Sequence, residues 1–222
     1  MTIHLQRQID KLKDMILQLG AMVEGSVADA IAAARGRNET LAQKVIDHDQ
    51  QIDLTEVEVE EECLHTLALH QPVAFDLRFV IAILKINNDL ERIADLAVNI
   101  AEGTLSLSRH EPTQVPFDLG GMSEKVQQML SLSLESLVSV DPEKAEAVRT
   151  ADDEVDRIHE QMYQKVEEAI RQHPEQMAPL IRMMNVSKNL ERIADLACNI
   201  AEDVLYMERG DIQRHRLHED GA

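Results

Sequence analysis

Tryptophan is absent from this 222-residue chain, which carries only three phenylalanines and two tyrosines. In their place Ala, Leu, Ile, Val, Met, Glu, Gln and Arg dominate, most of them small or straight-chain residues that lose little entropy in a helix. The composition reads as all-α. Basic charge is scarce as well: Lys and Arg total 22 against 41 Asp and Glu, for a net charge of −19. Phosphate backbones and anionic membrane surfaces are therefore repelled over most of the surface, which excludes nucleic acid as an expected partner. Cations, or a basic protein surface, suit this charge better. Cysteine occurs twice, as Cys63 and Cys198, with no short metal-binding spacing. That excludes a disulfide framework and fits a reduced, cytoplasmic chain.

Long apolar runs are missing too. The most apolar stretch, FVIAILKI at 79–86, is far too short to cross a bilayer, and no basic segment followed by an apolar one opens the chain. No direct membrane insertion is expected, so any membrane association goes through a partner. Also missing are a glycine-rich phosphate loop, a nucleophile elbow and a locally supported Cys–His pair, so enzyme activity is not indicated.

What is present is helical periodicity and a repeat. Apolar residues at 5, 9, 12, 16, 19 and 23 recur at helical spacing, and the pattern holds to about residue 35, where Gly36 and Asn38 interrupt it. A second helix is predicted over 39–70, stopping before Pro72, and a third over 73–108. Residues 109–121, RHEPTQVPFDLGG, hold two prolines and two glycines without a period and divide the chain. Beyond them helices are predicted over 122–140, from Asp141-Pro142 to about 172, and from His173-Pro174 to about 209. The architecture expected is two tandem three-helix bundles, residues 1–110 and 111–222, each running up, down and up. His215 and His218, three apart in the tail, read as part of a solvated terminus rather than as a metal pair.

LERIADLAVNIAE at 90–102 returns as LERIADLACNIAE at 190–202, with twelve of thirteen letters kept. A duplicated core needs only its apolar pattern, yet Glu91, Arg92, Asp95, Asn99 and Glu102 all return as Glu191, Arg192, Asp195, Asn199 and Glu202. On a helix the acids form one stripe opposite the apolar face. In a hairpin turning near residue 71, Glu91 and Asp95 stand at the level of Asp49 and Asp53, themselves one helical turn apart. In a hairpin turning near 173, Glu191 and Asp195 stand at the level of Asp152 and Asp156. Four converging carboxylates repel one another and raise each other's pKa unless a cation offsets them. Oxygen donors of this kind suit Mg²⁺, Ca²⁺, Mn²⁺ or iron, as a single ion or a cluster. The alternative is a metal-free helical adaptor in which Arg92 and Arg192 neutralise the acids. A ferritin-like di-iron protein is a third reading, because Glu62 and His65 match its Glu-x-x-His spacing and Asp156 with His159 approximates it. The two histidines do not occupy equivalent positions of the repeat, however, and both read as ordinary helix-surface residues.

Asp49-Gln-Gln-Ile-Asp53, Gln71-Pro-Val-Ala-Phe-Asp-Leu-Arg78 and the two Leu-Glu-Arg-Ile-Ala-Asp segments ending at Asp95 and Asp195 together resemble the PhoU family of phosphate-signalling proteins. The resemblance covers nearly the whole chain. It implies two tandem three-helix bundles that bind multinuclear metal clusters of iron, zinc, manganese or magnesium. The implied ligands are Glu91, Asp95, Glu191 and Asp195, joined by Asp49, Asp53, Asp152 and Asp156. It further implies a negative regulator that restrains a phosphate-responsive histidine kinase, and the ATPase subunit of a phosphate ABC transporter, when phosphate is plentiful. A homodimer is expected. Two departures stand out: Ala94 and Ala194 replace the family's usual glycine, and Gln172-His-Pro-Glu-Gln-Met-Ala178 replaces the first half's Pro-Val-Ala-Phe-Asp-Leu-Arg segment, so the turn ahead of helix six is expected to differ.

Overall fold

The computed structural model of the chain describes residues 3–210; the tail histidines His215 and His218 lie outside the described residues. Six α-helices are formed: α1 (Ile3–Gly36), α2 (Glu39–His70), α3 (Ala74–Leu107), α4 (Leu119–Ser139), α5 (Pro142–Gln172) and α6 (Met177–Arg209), with a 3-10 turn (Pro174–Gln176) ahead of α6. They make the two tandem three-helix bundles that the repeat implied.

Local chemistry sets the helix ends. Asn38 caps α2 by accepting the Leu41 N–H at 3.1 Å, and Asp141 caps α5 by accepting from Glu143 at 2.9 Å, with Pro142 in the first helical position. The start of α4 departs from expectation by three residues, because periodicity treats Gly120 and Gly121 as breakers. Asp118 accepts the Gly121 N–H at 2.9 Å, and this cap draws both glycines into the first turn. The two reversals before α3 and α6 do differ. Gln71 ends α2 in the left-handed region at φ 45° and Val73 is extended, whereas His173 leads into a 3-10 turn.

The apolar stripes of all six helices merge into one core. By length and composition α1 is apolar enough to span a membrane. Its Leu12, Ile16, Leu19 and Val23 are nonetheless fully buried against the other helices, which accounts for the apolar character. Burying each such side chain contributes about 1.5–3 kcal/mol. The Arg37 guanidinium, in the turn after α1, donates to the carbonyls of Leu107 and His110 and so ties that turn to the end of α3.

The two halves meet chiefly where α3 and α6 cross antiparallel. Arg78 Nε donates to the Met207 carbonyl at 3.3 Å, Lys85 pairs with Asp203 at 3.0 Å, and Gly103 lies beside Val186. The two copies of the repeated segment therefore face one another about a pseudo-two-fold axis.

A second contact between the halves depends on Gly20 of α1, where a Cβ would sit 2.8 Å from a methyl of Leu134 on α4. Gly20→Val should cost about 1–3 kcal/mol through overpacking, and adding Leu134→Ala should recover part of that loss. Denaturant unfolding of the single and double variants checks this; equal stability of Gly20→Val and the parent would show that α1 and α4 do not pack this closely.

Candidate functional site

The register of each hairpin is visible in one side-chain contact at the same position of the repeat. In the first half the buried Asn87 amide, on α3, donates to the Glu56 backbone carbonyl at 3.1 Å and to its carboxylate at 2.5 Å, across α2. In the second half His159 Nδ1 of α5 lies 3.3 Å from Ser187 Oγ of α6. Because Asn87 and Ser187 occupy equivalent places, as do Glu56 and His159, both hairpins are held at one level. That level brings the predicted acids together.

In the first half Asp49 and Asp53 of α2 meet Glu91 and Asp95 of α3. Burial pushes the Asp49 carboxyl up, and the charges of Asp53 and Asp95 push it further. Glu91 is raised by burial, then by Asp95, Glu56, Asp53 and Asp49. In the second half Asp152 and Asp156 of α5 meet Glu191 and Asp195 of α6. Asp152 is pushed up to about 6, mainly by burial and then by Asp156 and Asp195. Glu191 and Asp195 are raised by burial and by their acidic neighbours. All eight predicted residues thus fall into two mutually repelling groups of four.

The guanidiniums do not neutralise these groups as a salt-bridge lattice would. Arg92 pairs with Asp89 at 3.4 Å, and Arg192 offsets Glu191 and Asp195 only from a distance. Part of the repeated lettering serves the helix crossing instead. Arg92, Asp95, Asn99 and their counterparts Arg192, Asp195 and Asn199 line one crevice of about 340 Å³ on the pseudo-two-fold axis.

Three residues escaped the sequence reading. Glu56 extends the first acidic face by one helical turn, and burial together with Glu60 and Asp53 raises it. His159 is no ordinary surface residue: it is half-buried, burial lowers its pKa against the pull of Asp156 and Asp195, and its ring meets Tyr163 edge-on at 5.3 Å. Cys198, the one letter that changes within the repeat, lies beside Asp152 with its thiol donating to the Val148 carbonyl at 4.0 Å, and burial holds that thiol protonated. Aligning the repeat would have exposed all three, since Glu56 and His159 share one offset and Val98 stands where Cys198 does. His65 is exposed and is not among the groups acting on the first cluster, which leaves the Glu-x-x-His reading without its second motif.

By charge and donor type the acids fit a hard cation, and Asp152 offers a buried Oδ1 with no hydrogen-bond partner. The second group adds an imidazole and a thiol beside its carboxylates. Among the described residues no three Asp, Glu, His or Cys side chains already enclose a single ion, so binding one would require carboxylates to rotate inward.

A profile of the PhoU domain matches this chain twice, at residues 16–104 and 119–204. The chain belongs to the PhoU family. It is 34% identical over 210 residues to the phosphate-specific transport system accessory protein PhoU homolog of Aquifex aeolicus, covering 95% of each chain. The crystal structure of PhoU from Pseudomonas aeruginosa superposes with a TM-score of 0.90 at 32% identity, covering 93% of this chain and 99% of that one. That of the phosphate transport system regulatory protein PhoU from Streptococcus pneumoniae superposes with a TM-score of 0.83 at 28% identity, covering 94% and 98%. Both duplicated halves of the PhoU fold are therefore represented here.

The raised carboxyls set a pH dependence. A carboxyl whose folded pKa exceeds its unfolded value binds more protons when folded, so stability falls as pH rises through that window. For Asp152 the window runs from 3.8 to about 6. Chelator-treated protein should therefore melt at a higher temperature near pH 5 than near pH 7, and Asp152→Asn should flatten the difference. Melting curves across this range check it; a fall in melting temperature on acidification would mean that the acids are held as ion pairs.

Proposed function

We propose that this chain is a cytoplasmic, non-catalytic regulator of phosphate uptake and of the phosphate-starvation response. In this reading it restrains a phosphate-responsive histidine kinase and the ATPase subunit of a phosphate ABC transporter when phosphate is plentiful. The observation that carries the reading is the double PhoU-domain match, supported by relatives that are named as accessory proteins of phosphate-specific transport and align along nearly their whole length. The acidic surface, at a net charge of −19, suits docking on basic protein surfaces and disfavours nucleic acid.

The two carboxylate groups are proposed to hold multinuclear clusters of iron, zinc, manganese or magnesium. Asp49, Asp53, Glu91 and Asp95 would serve in the first half, and Asp152, Asp156, Glu191 and Asp195 in the second. A bound cation would remove the mutual repulsion that raises these carboxyls and would cross-link two helices of each bundle. A metal-free adaptor is the second reading, favoured by the lack of a ready-made ligand shell among the described residues.

Deleting the protein should switch on phosphate-starvation genes in phosphate-rich medium, and a reporter fusion reads this directly; unchanged expression sinks the regulatory reading. Glu91→Ala with Asp95→Ala should lower metal content by about half and leave the second half loaded, because the ligand groups of the two halves are separate. Elemental analysis of the purified variant checks this, and wild-type protein that carries no metal after growth in metal-replete medium selects the adaptor.

A further inference from the structure

The crossing of α3 and α6 creates two equivalent depressions, one on each side of the pseudo-two-fold axis, and the sequence has made them electrically unlike. The first, about 670 Å³, is lined by Lys85, Asn88, Asp89 and Arg92 from α3 and by Asn199 and Glu202 from α6. Its cations are neutralised: Lys85 pairs with Asp203 at 3.0 Å and Arg92 with Asp89 at 3.4 Å. The second, about 520 Å³, exchanges the corresponding helices. Asn185 stands at the place of Lys85, Asn189 at that of Asp89, and Gly103 at that of Asp203. Both neutralising acids are gone. Ala82 and Asn88, meanwhile, are replaced by Arg182 and Lys188.

The second depression is thus lined by Arg182, Lys188 and Arg192, by the amides of Asn99, Asn185 and Asn189, and by a single carboxylate, Glu102. None of the three cations makes an ion pair within 4 Å among the described residues. Lys188 and Arg192 also feel Glu191 on the other flank of α6, and Arg192 feels Asp195 in the central crevice, all at longer range. In a chain that is acidic nearly everywhere else, three unpaired cations converging with three amide donors form a surface for an anion. The lone acid narrows the choice. An ionised carboxylate only accepts hydrogen bonds, so Glu102 repels a fully deprotonated oxyanion such as sulfate but receives the P–OH of hydrogen phosphate.

We propose that this second-half depression binds a small tetrahedral oxyanion that still carries a proton, with hydrogen phosphate as the fitting species. The cations and amides hold its charged oxygens and Glu102 accepts its hydroxyl. The first-half depression, closed by its own ion pairs, does not bind. The proposal stands on the α3–α6 crossing and is separate from the metal reading of the acidic groups.

The test is titration of the full chain with inorganic phosphate, and separately with sulfate, at fixed ionic strength in chloride, with amide chemical shifts as the readout. Both metal-loaded and chelator-treated protein are used. Saturable shifts confined to residues around Asn99, Asn185, Asn189 and Arg192 are expected with phosphate, present with and without chelator, and weaker with sulfate. Arg192→Gln, or Asn189→Asp, which restores the acid of the first half, should each weaken phosphate binding about tenfold or more, and Glu102→Gln should remove the preference over sulfate. Melting temperatures close to the parent's confirm that these exposed substitutions leave the fold intact. Shifts that vanish on chelation, that appear equally in both depressions, or that survive Asn189→Asp undiminished would overturn the assignment.

Discussion

The rest of the molecule depends on the antiparallel crossing of α3 and α6. In each half all three helices pack on one another, and the helix that makes the main contact with the other half is the one that carries the repeated segment. When the two central helices also pack on each other, every residue near the crossing meets the copy of one of its neighbours in the repeat. Arg92, Asp95 and Asn99 meet Arg192, Asp195 and Asn199 in one crevice, so a change in one copy is felt by the other. Ala94, Ala97, Ala194 and Ala197 are buried around it, and their small side chains let the helices of each bundle approach closely.

Two demands therefore act on the same thirteen letters. One face of the segment looks toward α2 or α5 and completes a group of acids; the adjacent face looks across the pseudo-two-fold axis. Asp95 and Asp195 sit at the junction, lining the central crevice while also acting on the carboxyls of their own groups. This explains why polar letters persist where an apolar pattern would have been enough to pack a core. It also explains why Arg92 returns as Arg192 without pairing to the acid beside it: its place is in the crossing, where Asp89 receives it in the first half.

Much of this was legible in the chain. Helical spacing, Asn38, Asp141 and the prolines marked four of the six helices to within about a residue or two, since caps and breakers act locally, while α6 begins about three residues later than expected, after the 3-10 turn at Pro174–Gln176. The level relation placed Asp49 with Glu91 and Asp152 with Glu191 because antiparallel helices joined by a short turn have their register set by that turn. What escaped depended on contacts between helices. The start of α4 turned on a cap strong enough to hold two glycines. The burial of His159 and Cys198 came from the packing of α5 on α6, which no single helix declares. Asn99 and Glu102 were read as part of one acidic stripe, and only the second bundle turns them into the interhelical grooves.

The pseudo-symmetry is informative mainly where it fails. Duplication starts both halves with the same donors, and each later difference changes the chemistry at one site while the shared backbone keeps its geometry. Glu56 against His159, and Val98 against Cys198, place a carboxylate and an aliphatic side chain beside the first acidic group where the second has an imidazole and a thiol. Imidazole and thiolate favour more polarisable metals than carboxylate alone. Burial, reinforced by the charge of Asp152, would keep the Cys198 thiol from coordinating unless its proton leaves. The same logic separates the two interhelical depressions, where two lost acids turn a closed ion-pair network into a cationic surface. Retained geometry with altered donors is how one duplicated fold can present different ligand chemistry on its two halves without repacking either core.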